Sequence, residues 1–246
     1  VGPPGFLKGV DARYQGVDAP GIFRDKQHAQ KTLTDPDFRD TYLNLGAKKG
    51  VFGNSIWVPT ISAMLSKKKP ILTLDDLKGQ KIRVLASAME VEAMKRLGAA
   101  PTPMPLMEVL PSLQRGALDG VRTGLVIFVP FKYWNVAKDL TETNDGIVPV
   151  ASFISQRWFD KLPKDLQAII LEEGKNLDNE IFDWALTFNK GLRKAWLANG
   201  GKIHQLSDAD QKELIKHLST VGADVVADKP EIKEIYDLMI KTAAKY

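Results

Sequence analysis

The longest regular pattern of apolar positions begins after Pro163, a residue suited to the first turn of a helix. Leu166, Ile170, Leu177, Ile181, Trp184, Phe188, Leu192 and Trp196 follow at helical spacing, and no proline intervenes before Gly200-Gly201. The pattern predicts one helix over residues 163–199, about 50 Å long at a rise of 1.5 Å per residue. A helix in a globular protein averages about a third of that. One this long, without heptads, is expected to run across two lobes. Its apolar stripe assigns Trp184 and Trp196 to core packing.

Shorter patterns flank it. From Asp25, the residues Ala29, Leu33, Phe38, Tyr42 and Leu45 recur at helical spacing, with a break at Asp35-Pro36 and a stop at Gly46. Residues 50–65 have β character through Val51, Phe52, Ile56, Trp57, Val58 and Ile61. After Pro70 strand and helix alternate. A short capped helix is predicted over 73–79, a strand over 81–85, and a helix from 87 to 98 opened by the Ser87/Glu90 capping-box spacing. A strand at 102–104 and helices over 108–115 and 124–131 follow, with Pro111 predicting a kink or a late start. Residues 147–154 read as a buried strand, and residues 209–226 and 231–244 as helices. Residues 1–22, rich in Gly and Pro, read as loop or linker. Alternation of this kind predicts an α/β fold with parallel strands.

Composition removes whole classes of function. The 246 residues contain no cysteine, which excludes a disulfide framework and any Cys-ligated metal site. No apolar run approaches the ~18 residues of a membrane-crossing helix, so no stable membrane insertion is expected. The length suits one large domain or two of roughly 100–150 residues. Thirty-four Lys and Arg against thirty Asp and Glu give a net charge of +4. The densest basic run, Lys67-Lys68-Lys69, ends at Pro70 and elsewhere charges alternate, so no nucleic-acid partner is expected.

Candidate chemistry is sparse. His28, His204 and His217 stand apart in the sequence, form no metal-ligand pair and read as surface residues. No phosphate loop, dinucleotide fingerprint or nucleophile elbow is present, and no cofactor is expected. Asp75-Asp76 and Glu172-Glu173 are paired carboxylates, but helix-terminal charge and solvation account for them. Arg83 is different. It interrupts the apolar run Ile82-Arg83-Val84-Leu85 on a predicted buried strand, where an arginine is costly unless paired. Two readings follow: an internal ion pair, or a fork that receives a ligand carboxylate.

The segment Leu74-Asp75-Asp76-Leu77-Lys78-Gly79-Gln80-Lys81-Ile82-Arg83-Val84 resembles the central motif of the TRAP-transporter solute-binding proteins, the DctP family. Leu97-Gly98-Ala99, Pro103-Met104-Pro105, Glu108-Val109 and Leu113-Gln114-Arg115-Gly116-Ala117-Leu118-Asp119-Gly120 follow in the family's order and spacing. Phe23-Arg24-Asp25 with His28-Ala29, and Trp158-Phe159-Asp160-Lys161-Leu162-Pro163, are similar to further family segments. The resemblance implies a two-lobed periplasmic binding protein fold with hinge strands and one long helix spanning both lobes. By alignment lobe I is residues 1–60 plus 150–187, and lobe II is 61–149 plus 188–246. It also implies a periplasmic receptor that closes on a small organic acid and delivers it to a TRAP membrane permease. Val1 then falls well inside the first lobe, and roughly sixty residues, about a βαβ unit, are expected ahead of it. Val1-Gly2-Pro3-Pro4 itself does not read as a signal peptide.

The same resemblance assigns site residues. Arg83 aligns with the arginine that clamps the ligand carboxylate. Ser62 stands where the family usually has a second arginine. Val121-Arg122-Thr123-Gly124 replaces a frequent Gln-Glu-Asn-Pro, so Thr123 takes the place of a ligand-holding asparagine. The glutamate that binds a metal ion in some members is Arg122 here, and no metal is expected. Leu106 stands where many members carry phenylalanine, and Ser87 lines the same region. Trp57, just before the hinge, is a candidate ligand contact, whereas Trp158 reads as packing. These smaller residues predict a wider and less polar pocket. The expected ligand is a monocarboxylate with a bulky or aromatic body, or a dicarboxylate if Arg122 turns inward instead of toward solvent. The alternatives are a carboxylate-acting enzyme on a similar scaffold and a sensor or interaction module. No nucleophile or base falls near Arg83, and Glu108 reads as a helix-start carboxylate, which favours binding without turnover.

Overall fold

Two long strands organise the chain. In a computed structural model describing residues 1–246, β1 (Val51–Ser66) and β5 (Asp139–Ser155) pair antiparallel from Val51 opposite Ser155 to Ser66 opposite Asp139. They form the centre of a six-stranded sheet with β2 (Lys81–Val84), β3 (Ala100–Pro103), β4 (Gly120–Thr123) and β6 (Lys202–Gln205), in the order β3-β2-β4-β1-β5-β6. β2 runs parallel to both β3 and β4, and β6 parallel to β5, as the alternation predicts. The sheet is nonetheless mixed, because β1 is antiparallel to both of its neighbours. β5 is twice as long as the apolar segment that announced it. Its first half carries Thr141, Thr143 and Asp145, all buried, which hid it from an apolar reading.

The ladder between β1 and β5 breaks near its middle. Trp57 lies opposite Val150 and Thr60 opposite Val148, so Val58 and Pro59 face Pro149 alone. This is a bulge, and neither proline can donate to the ladder.

The helices are α1 (Lys26–Thr34), α2 (Pro36–Leu43), α3 (Ala88–Arg96), α4 (Leu106–Gln114), α5 (Leu125–Phe128), α6 (Gln156–Phe159), α7 (Lys164–Ala198), α8 (Asp208–Leu218), α9 (Val221–Asp228) and α10 (Pro230–Ala243). The predicted long helix is α7, and it buries Leu192 and Trp196 as predicted, but over most of its length a different face is buried. Gln167, Gly174, Asp178, Ala185, Leu192 and Trp196 point inward. Of the predicted stripe, Leu166, Leu177, Trp184 and Phe188 are exposed, and Trp184 stacks on Phe188 with centroids 4.3 Å apart. The reason is close approach to β1. Gly174 packs directly against Asn54, where a Cβ would clash. The Asp178 carboxylate accepts the Ile56 backbone N–H at 2.7 Å and pairs with Arg39. Asn189 donates to the Pro59 carbonyl at 2.6 Å. Polar and small residues dock the helix, and the hydrophobic register could not report them.

Other expectations are corrected. Residues 1–22 are not a linker: 3-10 turns at Pro4–Gly9 and Ala12–Asp18 carry Tyr14 to Pro20 into the interior. The helix predicted over 209–226 is two, α8 and α9. Ser87 makes no side-chain cap on α3, because Glu90 is drawn into a buried ion pair; the reciprocal cap forms at Thr73 and Asp76 instead. His28 is buried and lies 2.9 Å from the Ala243 carbonyl. Trp158 is exposed. Apolar packing gathers into two cores. The larger joins Phe38, Tyr42, Met94 and Ile235, and the smaller joins Val109, Phe128, Leu192 and Trp196. No helix is long and apolar enough to cross a membrane.

Candidate functional site

Arg83 leaves β2 toward the mouth of the sheet and is only 1% exposed. Its Nε and Nη2 donate to the Met104 carbonyl at 3.2 and 3.0 Å, which fixes the guanidinium plane and leaves Nη1 without a partner. No carboxylate forms an ion pair with it, so the internal-pair reading fails. Burial lowers its pKa, opposed by the more distant Glu90. A buried, uncompensated cation with one free edge is an electrostatic demand for an anion.

That edge borders a cavity of about 70 Å³. β4 contributes Thr123, the first turn of α4 contributes Leu106, α5 contributes Val126 and Ile127, and β5 contributes Val148 and Val150. The two valines share a face because strand side chains alternate. Pro59, Phe6, Pro3 and Leu85 complete the lining. Arg83 and Thr123 are the only polar side chains in the lining. At about 70 Å³ the room is well below the ~300 Å³ at which pockets for drug-sized ligands begin, which suits only a compact ligand. The lining is thus almost wholly apolar, and the cavity is small.

Arg83, Thr123 and Leu106 are thus brought together, and the remaining candidates are not. Arg122 follows the strand alternation to the opposite face of β4 from Thr123. There it is 2% exposed and pairs with Glu90 and, at 2.6 Å, with Asp145. It faces neither the Arg83 cavity nor solvent. Burial alone would lower its pKa, but the Asp145 and Glu90 charges hold it above the ordinary value. Ser62 and Ser87 are buried, their hydroxyls have no hydrogen-bond partner, and neither lines the cavity. Trp57 is half-buried on β1 and stays outside the lining.

Two features escaped sequence reasoning. Tyr133 is fully buried with its hydroxyl unpartnered and Arg83 as its charged neighbour. Asp18 is buried beside Glu90 and Arg122, with both carboxylate oxygens unpartnered. Burial and the Glu90 charge raise its pKa to about 7, against the pull of the Arg122 charge. Asp18 lies in the stretch read as linker, so nothing in the pattern marked it as interior.

A mixed sheet with two long crossing strands, a helix laid along them and a buried arginine facing a cleft define a two-lobed solute-binding fold. Solved structures agree. A sugar-acid-binding protein of Advenella mimigardefordensis in complex with galactonate superposes with a TM-score of 0.89 at 22% identity, covering 99% of this chain and 77% of that one. A TRAP periplasmic solute-binding protein of Xanthobacter autotrophicus with bound β-D-galacturonate gives 0.84 at 26% identity, covering 99% and 78%. The model of the DctP family, bacterial extracellular solute-binding protein family 7, matches residues 3–229, and the chain belongs to that family. The C4-dicarboxylate-binding periplasmic protein DctP of Vibrio cholerae is 31% identical over 225 residues, 87% of this chain and 66% of its own. A solute-binding protein of Sulfitobacter is 31% identical over 200 residues, 79% and 56%. The chain spans about half the length of several curated relatives it matches.

Proposed function

We propose that this chain captures a compact, largely apolar monocarboxylate for a TRAP membrane permease, in the periplasm and without turning it over. One observation carries the reading: Arg83 is a buried cation with no acid partner and a free edge on an apolar cavity. A carboxylate would supply the missing charge through charge-assisted hydrogen bonds, with the Thr123 hydroxyl as a second donor. The apolar walls favour a short branched chain over an aromatic body. They also disfavour sugar acids, whose hydroxyls would lose water without gaining partners.

The lobe division at 1–60 plus 150–187 and 61–149 plus 188–246 belongs to the same proposal. Pro59 and Pro149 weaken the β1–β5 ladder where those boundaries cross it. Calorimetric titration with isovalerate, galacturonate and succinate tests the selectivity. Isovalerate is expected to bind at least about tenfold more tightly than galacturonate, the worth of one hydrogen bond left unmade. Preference for galacturonate would reject the apolar assignment. Recovery of chemically unchanged isovalerate after prolonged incubation is expected of a receptor, and a product would argue for an enzyme.

A further inference from the structure

A second cavity, of about 490 Å³, lies under α7 and shares no lining residue with the Arg83 cavity. Its size falls within the range of small-molecule sites. Ile61, Leu140 and Leu186 give it an apolar wall, while Lys26, Lys190 and Arg193 bring three cations to it. Glu142 is the only acid in the lining, and it is already paired with Arg193. The remaining balance is two positive charges.

Those two charges are not accounted for within the fold. Lys26, at the start of α1, is half-buried while Lys190 is exposed on α7, and neither forms a salt bridge within the chain. Burial lowers the pKa of Lys26, with only a distant pull from Glu142 against it. Asn144, exposed, also borders the cavity, in a left-handed backbone conformation with φ of 46°. An apolar wall with a half-buried ammonium group on one side and an exposed one at the rim has the character of a site for something negative.

We propose that this cavity binds a small organic dianion with an apolar body, a phosphate monoester or a dicarboxylate, at a site separate from that of Arg83. The two charges meet Lys26 and Lys190, and the body lies on Ile61, Leu140 and Leu186. The walls come from α1, from the β1–β5 crossing and from the last third of α7. Occupancy therefore ties together elements on either side of the bulge at Pro59. This consequence rests on the proposed hinge, whereas the binding site does not.

The probes are phenyl phosphate and adipate, titrated calorimetrically into the wild-type chain and into Lys26→Met, Lys190→Met and Arg83→Ala. The expected result is binding of at least one probe that persists in Arg83→Ala. It should weaken about tenfold or more in each lysine variant, the loss of one charge-assisted contact. Binding of phenyl phosphate alone assigns the site to phosphate monoesters, and of adipate alone to dicarboxylates. Absence of binding by both probes overturns the proposal. So does binding abolished by Arg83→Ala and untouched by the lysine variants, which would move the probe to the first cavity. Thermal melts confirm folding of each variant, and Lys26→Gln replaces Lys26→Met should the latter fail to fold.

Discussion

Asp18 offers a sharp test of the electrostatics beneath the site. Its carboxylate is fully enclosed, neither oxygen has a hydrogen-bond partner, and Glu90 adds a like charge. Its pKa is therefore raised from 3.8 to about 7 in the folded chain. Between those two values the unfolded chain has released the proton and the folded chain still holds it. Stability then falls as pH rises, and levels off above the folded value. Each unit is worth 1.36 kcal/mol, so a gap of about three units amounts to about 4 kcal/mol. Asp18→Asn keeps the shape and removes the charge. Its stability should match the wild type near about pH 4 and exceed it by up to about 4 kcal/mol near about pH 8. Urea unfolding followed by tryptophan fluorescence across that range measures the difference directly. A constant difference between variant and wild type would refute the reasoning, since it would mean that Asp18 ionises alike in both states.

Three further outcomes follow from named contacts. Arg122→Met leaves Glu90 and Asp145 buried without their cation, and should lower the unfolding free energy by about 3–5 kcal/mol near neutral pH, less in acid. Asp178→Ala removes the acceptor of the Ile56 N–H and the partner of Arg39. It should cost about 3 kcal/mol or more in the same assay and expose α7 amides to hydrogen exchange before the rest. Leu106→Phe places a larger side chain against a 70 Å³ cavity and should weaken isovalerate binding by about tenfold or more with little change in melting temperature.

The sequence disclosed much of this frame because local signals and tertiary demands agreed. Arg83 stood out as a charge in an apolar strand, and the proline-bounded, strongly periodic α7 was visible at nearly its full length. The failures have a common physical source. Hydrophobic spacing reports where oil is buried, and this fold buries much of its interior through polar contacts. Asp178 and Gly174 dock α7, so the face carrying Trp184 was mistaken for the core face. Glu90 serves Arg122 instead of capping α3. Arg122 and Thr123 are adjacent, and strand alternation sends them to opposite faces. A one-residue difference decided which of them reaches the cavity, and the family pattern alone left that open. Asp18 and Tyr133 carry no local signature, because their significance comes from neighbours distant in sequence.

Titrating isovalerate into the wild type and Arg83→Met tests the proposed contact between Arg83 and a ligand carboxylate most directly. Methionine keeps much of the apolar stem while removing a buried, unpaired cation. The ligand-free variant should therefore melt no more than a few degrees from the wild type. Its affinity for isovalerate should fall by about 2–3 kcal/mol, roughly 30- to 150-fold. Equal affinity in the two proteins would contradict the account.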